Sequence, residues 1–189
     1  TAFYTLSLHD ALPISCGKLL EPTELKEPKC STCGATPAPR STRHLYIDLP
    51  AIRPKLEAWM KKASVDGFWA NNAVQMTQAW IRDGLKARAI TRDLKWGIPV
   101  PKDGFRDKVF YVWFDAPIGY IASTQQWCQK NGQQLADWWK SPDCEVHHFI
   151  GKDITYFHTL FWPAMLKTAG FSLPTKVHIH GFLTVDGEK

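Results

Sequence analysis

The chain has 189 residues, of which 44% are hydrophobic, 13% aromatic and 22% charged, a composition that favours a folded protein over a disordered one. The formal net charge is +5, and the charges are dispersed along the chain, so electrostatics gives little support to a basic RNA-binding surface. The sequence has no apolar run near the roughly 18 residues that a membrane span needs. We therefore expect no membrane partner and a cytoplasmic protein.

The first fifteen residues differ in character from the rest. Residues 5–15, Thr-Leu-Ser-Leu-His-Asp-Ala-Leu-Pro-Ile-Ser, resemble one reading frame of a common sequencing adapter that was translated by mistake. We predict that residues 1–15 are an artefact and exclude them from fold reasoning. The alternative is a short apolar N-terminal segment, which has neither the basic start nor the apolar length of a signal peptide.

A cysteine pattern follows this stretch. Cys16 and Cys33 are each followed by glycine, and Cys30 completes a Cys-x-x-Cys with Cys33. The position three before Cys16 is Pro13, so the pattern is that of a four-cysteine zinc knuckle with one ligand missing. We predict zinc in the parent protein, with Cys16, Cys30 and Cys33 as ligands. The alternative is a pair of reduced cysteines in a proline-rich loop.

The middle of the chain predicts alternating strands and helices. Residues 44–49 alternate like a strand, and amphipathic helices are predicted from Pro50 and over residues 70–86. Residues 109–114 are apolar throughout and give the clearest prediction of a buried strand. Asp115 is predicted to cap the helix that follows, which runs to about Lys130.

A second strand–turn–helix unit spans residues 144–168. It consists of a short apolar strand, the turn Gly151-Lys152-Asp153 and a helix for which Thr155 is the predicted N-cap. Another strand is predicted at residues 177–180, and a hairpin at residues 183–189. Strands that alternate with helices predict an α/β fold with a doubly wound parallel sheet, which binds ligands at the carboxyl edge of its strands.

Three side chains of this second helix are spaced four residues apart. Ile154, His158 and Trp162 therefore share one face of the predicted helix, and with Asp153 they could converge on a pocket. The alternative is an aromatic stripe that packs into a core. The sequence contains no glycine-rich phosphate loop and no Gly-x-Ser-x-Gly turn, so these motifs identify no reaction.

The motifs, taken in order, resemble those of the methionyl-tRNA synthetases, a family of class I aminoacyl-tRNA synthetases. The resemblance covers residues 16–189. The matching stretches are Cys16-Gly-Lys, Cys30-x-x-Cys33, Asp48-Leu-Pro50, Ile90-Thr-Arg-Asp93, Val109 to Tyr120, Phe149 to Met165 and Val177-x-x-His-Gly181. It implies the second half of a class I synthetase Rossmann-like doubly wound parallel sheet at residues 89–189, preceded by part of a zinc-knuckle connective domain at residues 16–88.

The resemblance also implies a reaction and its site. Methionine and ATP, with Mg, would form methionyl-adenylate, and the methionyl group would pass to tRNA(Met). The implied methionine side-chain pocket consists of Trp113, Ala116, Pro117, Tyr120, Ile154, His158 and Trp162. The implied catalytic residues are Arg92, Asp153 and Lys189, with Asp153 pairing with the substrate ammonium. Gly151, His180 and Gly181 would line the adenylate.

Two phosphate-handling motifs of that family are not found in the 189 residues. No His-Ile-Gly-His is present, and the Lys-Met-Ser-Lys-Ser loop would begin at Lys189. We therefore expect this chain to be an inactive fragment, without methionine-dependent exchange of ATP and pyrophosphate. Two alternatives remain open. A zinc-knuckle RNA-binding module would show salt-sensitive RNA affinity, and another class I synthetase would need a different pocket.

Overall fold

The computed structural model describes residues 3–4, 26–30, 33–36, 38 and 41–181. The chain divides into two compact units, Thr1–Leu45 and Tyr46–Lys189. Predictions that concern Cys16, Lys189 and the hairpin at residues 183–189 lie outside the described residues. None of the helices in the described part of the chain combines the length and apolar character needed to cross a membrane.

Within the described residues, the first unit contains a small sheet and a turn at Cys33. Strand β1 (Phe3–Tyr4) pairs antiparallel with β2 (Ser41–Thr42). At the turn, the Gly34 amide donates to the Cys30 carbonyl at 2.9 Å, and Gly34 has a φ of +71°. Strand β1 falls within the stretch predicted to be an artefact, and its pairing does not test that prediction.

The second unit begins with two helices beside a short antiparallel sheet. Strand β3 (Tyr46–Ile47) pairs with β4 (Arg88–Ala89), and helices α1 (Leu49–Asp66) and α2 (Asn71–Asp83) lie between them in sequence. The strand predicted at residues 44–49 is shorter than expected because the Asp48 carboxylate accepts a hydrogen bond from the Ala51 amide at 3.1 Å and caps α1. The domain boundary predicted between residues 88 and 89 falls within β4 and stays a prediction.

The strand predicted at residues 109–114 is largely wrong. Strand β5 (Thr91–Arg92) pairs antiparallel with β6 (Val109–Phe110), and the next residues form a helical turn, α3 (Val112–Asp115). An apolar run does not by itself distinguish a buried strand from a buried helix. Here the rings of Trp113 and Phe114 both contact rings of residues 157–161, and a strand would direct neighbouring side chains to opposite faces.

The helix α4 (Ile118–Asn131) begins after Pro117, and the short helix α5 (Leu135–Trp139) follows it. Asp115 is the last residue of α3 and does not cap α4, so that prediction is wrong. The reason is that Pro117 and Ala116 continue with helical backbone angles, which leaves no extended residue at which a side-chain cap could form.

The predicted parallel strands are confirmed. Strand β7 (His147–Gly151) pairs in parallel with β8 (Lys176–His180), and a helical stretch that ends with α6 (Trp162–Ala169) connects them. Thr155 does not cap this stretch. It has helical backbone angles, and its hydroxyl donates to the Lys152 carbonyl at 2.8 Å because the helix has already begun as a 3-10 turn at residue 152.

The core of the unit lies along α6. Trp139, Trp162 and Leu166 form a buried cluster, against which partly buried side chains of α4, α5 and the loop before β8 pack. The mixed α/β architecture predicted from the sequence is therefore confirmed. Within the described residues, the strands form separate two-stranded sheets, and the parallel sheet consists of β7 and β8.

Candidate functional site

The helical stretch after β7 changes its geometry three times. A 3-10 turn at Lys152–Ile154 leads into helix, residues Phe157–Phe161 form a π-helical segment, and α6 follows. All five residues of the π segment are buried. Short π segments cost regular hydrogen bonding and are often found at functional sites, because they turn side chains away from their usual face. Of the five buried residues of this segment, His158 is the one with an ionisable side chain.

His158 is held by two hydrogen bonds. Its Nδ1 lies 3.0 Å from the Ile154 carbonyl oxygen, and its Nε2 lies 2.9 Å from the Tyr120 hydroxyl. A carbonyl only accepts, so Nδ1 carries the proton, and in the neutral ring Nε2 accepts from the Tyr120 hydroxyl. The predicted pair of polar groups therefore comes together, with Tyr120 from α4 and His158 from the π segment.

The pair is electrically neutral. Burial lowers the pKa of His158, against the smaller opposing effect of its hydrogen bond to the Ile154 carbonyl. Burial also raises the pKa of Tyr120. Both shifts disfavour the charged forms. This part of the site can therefore accept an uncharged, weakly polar ligand group without burying an ion.

Aromatic rings surround the pair. Trp113 stacks on Phe157 with ring centroids 5.1 Å apart, and the Trp162 ring lies 6.3 Å from that of Tyr120. Pro117 is buried, whereas Ala116 is exposed. These contacts bring four elements together: the turn α3, the start of α4, the π segment and the start of α6. Apolar rings with a few polar groups are the typical lining of a small-molecule pocket.

A second buried imidazole lies beside the pair and was missed by the sequence predictions. His148 of β7 is 5% exposed, and its ring centroid lies 5.0 Å from that of His158 and 5.3 Å from that of Tyr120. Burial, together with the charge of His158, lowers the pKa of His148 to about 4. The available signal was the strand periodicity of two, which places His148 on the same face as Ile150.

The carboxyl edge of the parallel strands brings together four predicted residues. Gly151 is the register partner of His180 at the ends of β7 and β8. A Cβ on Gly151 would lie 2.6 Å from a carboxylate oxygen of Asp153 and 3.7 Å from the His180 ring. Asp153 is exposed, and the Gly181 carbonyl accepts a hydrogen bond of 2.8 Å from the His180 ring. The Asp153 carboxylate therefore lies at this edge, close against the backbone of Gly151, which carries no side chain.

Arg92 lies on a different hairpin from these residues. Its guanidinium donates to the carbonyls of Ala89 and Thr91, at 3.0 Å and 2.7 Å, and its Cζ lies 4.0 Å from the centre of the Tyr111 ring. The Tyr111 ring is in turn 6.5 Å from that of Phe157. These contacts link Arg92 to the π segment through one aromatic ring.

The cysteines are described in part. Cys30 is half-buried and Cys33 is exposed, and the Gly34 amide donates a hydrogen bond to the Cys30 carbonyl. In the described portion of the chain, no group of three or more metal-ligating side chains comes together.

Comparisons with known proteins agree on one family. Residues 9–189 match the family model described as tRNA synthetases class I (M). The methionine–tRNA ligase of Treponema denticola is 58% identical over 167 residues, which are 88% of this chain and 21% of the relative. That of Rhodopirellula baltica is 53% identical over 180 residues, which are 93% of this chain and 25% of the relative. The chain thus spans about a fifth to a quarter of the length of these relatives.

Solved structures give the same result. A Mycobacterium tuberculosis methionyl-tRNA synthetase in complex with methionyl-adenylate superposes with a TM-score of 0.68 at 28% identity, over 90% of this chain and 33% of that one. The apo form of the enzyme from that organism superposes with a TM-score of 0.63 at 29% identity, over 82% of this chain and 30% of that one.

Proposed function

This chain belongs to the methionine type of the class I tRNA synthetase family, and we propose that it forms the amino-acid half of a methionine–tRNA ligase site. The proposed overall reaction joins methionine and ATP into methionyl-adenylate, releases pyrophosphate and then transfers the methionyl group to tRNA(Met). The observation that carries the proposal is the neutral Tyr120–His158 pair within a wall of aromatic rings.

This environment suits the side chain of methionine. A thioether is uncharged, polarizable and only a weak hydrogen-bond acceptor, and each sulfur–aromatic contact contributes roughly 0.3–1.5 kcal/mol. A charged or strongly polar side chain would lose its hydration here without a charged partner. The proposed lining comprises Trp113, Ala116, Pro117, Tyr120, Ile154, His158 and Trp162.

The polar end of the amino acid is assigned to the carboxyl edge of the sheet. The exposed carboxylate of Asp153 is available to pair with the substrate ammonium, and Gly151 leaves its backbone open to the adenylate. His180 and Gly181 would lie on the adenine side. Arg92 and Lys189 are assigned to the developing charge on the phosphate, where positioning and electrostatic stabilisation accelerate phosphoryl chemistry without a covalent nucleophile.

Two cofactors are proposed with this reaction. Mg bound to the phosphates of ATP would offset their charge. Zinc would be held by Cys16, Cys30 and Cys33, and it would stabilise the first unit without taking part in the reaction. The hydrogen bond from the Gly34 amide to the Cys30 carbonyl, with Gly34 in the left-handed region, supports this assignment.

Methionine binding by the 189-residue chain tests the proposal. Equilibrium dialysis with labelled methionine is expected to show saturable binding that weakens at least tenfold in W113A, because the variant loses the ring that stacks on Phe157. The matched control is W96A, which removes a tryptophan that is 91% exposed and outside the pocket, and it is expected to bind as the wild type does. Equal affinity in the wild type, W113A and H158F would refute the assignment of the pocket.

A further inference from the structure

An exposed apolar loop lies outside the residues assigned to the methionine pocket. It belongs to the connection between β5 and β6, and three of its residues are large, apolar and exposed: Leu94 is 58%, Trp96 is 91% and Ile98 is 55% exposed. Trp96 has the highest exposure of any large hydrophobic residue in the described part of the chain. Single exposed apolar side chains are ordinary, but a cluster of them often marks an interaction site.

The backbone of this loop is fixed by contacts with β6. The Phe110 amide donates to the Ile98 carbonyl at 2.8 Å, and Pro99 pairs with Val109 as an isolated antiparallel bridge. Gly97 lies so close to β6 that a Cβ on it would be 2.8 Å from the Cβ of Val109. The exposed side chains of the loop therefore project from a packed backbone.

The same hairpin carries an excess of positive charge. Residues 92–110 contain five basic and three acidic side chains. Asp93 and Asp103 are paired with basic residues of the hairpin. Lys95 and Lys102 are exposed, and neither forms an ion pair within the described residues. The hairpin thus offers an exposed indole next to a lysine, which suits a partner with planar rings and negative charge.

Single-stranded nucleic acid has both of these properties. Proteins bind it by stacking its bases on aromatic side chains and by contacting its phosphates with basic ones. In the proposed function, methionyl transfer brings the unpaired 3′ end of tRNA to the methionyl carboxyl. Trp96 follows Arg92 by four residues, so their Cα atoms lie at most about 14 Å apart. Because Arg92 is assigned to the phosphate of the adenylate, Trp96 lies within reach of the approaching 3′ end.

We propose that Trp96 stacks on an unpaired base at the 3′ end of tRNA and that Lys95 contacts the phosphate backbone beside that base. The inference rests on the proposed function and adds to it a contact for the RNA substrate. Every base has a stacking face, and phosphate contacts carry no sequence information. This contact would therefore position the 3′ end without discriminating between tRNAs.

A fluorescent RNA hairpin tests the stacking. Its unpaired 3′ tail ends in CCA, with 2-aminopurine in place of the terminal adenine, and stacking on an indole quenches this base. Titration with the 189-residue chain is expected to give saturable quenching. W96L is expected to bind at least fivefold more weakly, whereas W96F keeps a ring and most of the affinity. The matched control is W127L, which removes another exposed tryptophan, from α4, and is expected to bind as the wild type does.

The salt dependence of binding tests the lysine. For single strands, the logarithm of the binding constant falls with the logarithm of the salt concentration by about 0.7 for each phosphate neutralised. K95A is expected to reduce this slope by about that amount, and K95R is expected to retain it. W96L is expected to lower the affinity without changing the slope. A merely structural role for the loop would not separate the two variants in this way.

Several outcomes would overturn the proposal. They are the absence of saturable binding by the wild type, equal affinity in W96L and wild type, and equal affinity for a hairpin without the tail. Self-association of the chain that W96L abolishes would assign the loop to an interface between copies and overturn the proposal as well. If RNA binding depends on Trp96 but the wild type does not bind methionine in equilibrium dialysis, the proposed function fails and the RNA contact stands.

Discussion

The imidazoles of His148 and His158 are buried side by side next to Tyr120, and they differ in how many of their ring nitrogens form hydrogen bonds. His158 uses both ring nitrogens in hydrogen bonds, while Nε2 of His148 has no partner in the described part of the chain. An unsatisfied buried polar group costs roughly 1–3 kcal/mol. Folding stability alone would therefore favour an apolar side chain at position 148.

The burial of His148 and His158 predicts that the free energy of unfolding depends on pH. In the folded chain the pKa of His148 is about 4 and that of His158 is also lowered, whereas an unfolded histidine titrates near 6.5. As the pH falls below 6.5, these histidines bind protons in the unfolded chain but stay neutral in the folded chain. The free energy of unfolding therefore decreases, and the contribution of His148 levels off near pH 4. Between pH 6.5 and 5 we expect His148 alone to account for about 2 kcal/mol.

Urea unfolding at the two pH values measures this effect. H148F is expected to lose less stability on acidification than the wild type, by about that amount, and to be no less stable than the wild type at pH 7, since it removes an unsatisfied polar atom. H147F serves as the control, because it adds the same ring on the exposed face of the same strand. An identical loss in H148F and wild type would show that His148 is not kept neutral by the fold.

At the level of secondary structure, the sequence predicted some elements well and others poorly, for physical reasons. Strands β7 and β8 were predicted because short β-branched runs bounded by glycine and proline leave few alternatives. The run at residues 109–114 was misassigned because continuous apolar character carries no period, and the contacts of Trp113 and Phe114 with residues 157–161 decide in favour of a helical turn.

The candidate site was likewise predicted only in part. Ile154, His158 and Trp162 were predicted to share a helix face from their spacing, and the structure brings His158 and Trp162 around Tyr120. The π segment that carries His158 was not predicted, because the spacing of apolar residues does not distinguish it from an α-helix. Neither the hydrogen bond between Tyr120 and His158 nor the tautomer of His158 could be predicted from the sequence. The hydrogen bond depends on the position of α4 relative to the helix that follows β7, and the tautomer depends on the hydrogen-bond partners of the ring.

The junction between β7 and the 3-10 turn gives a prediction for Gly151. In G151A the new Cβ would lie 2.6 Å from the Asp153 carboxylate oxygen, so that side chain must turn away while the backbone stays in place. We expect methionine affinity to fall about tenfold, because the ammonium loses its proposed partner, with little change in melting temperature. G119A is the control, since its Cβ would meet nothing within 4 Å. If G151A binds methionine normally, Asp153 does not pair with the ammonium in the orientation seen here.

At the scale of the whole molecule, the proposed methionine contacts lie in one compact unit. The rings, the Tyr120–His158 pair and the edge at Gly151 all belong to Tyr46–Lys189. In the proposed function, these groups contact the neutral side chain and the cationic ammonium of the amino acid. Forming an adenylate also requires several positive groups aimed at the phosphates of ATP, because charge develops there in the transition state.

We therefore expect this chain to bind methionine without catalysing the formation of methionyl-adenylate. The 189 residues contain no His-Ile-Gly-His, and Lys189 alone matches the start of the second phosphate-handling motif. We predict saturable methionine binding without methionine-dependent exchange between ATP and labelled pyrophosphate. An intact methionine–tRNA ligase in the same assay is the positive control, and W113A controls for the specificity of binding. The prediction is wrong if the chain exchanges pyrophosphate above the methionine-free blank and W113A abolishes this exchange. These residues would then supply enough charge stabilisation for adenylate formation, and the chain would contain a complete site instead of half of one.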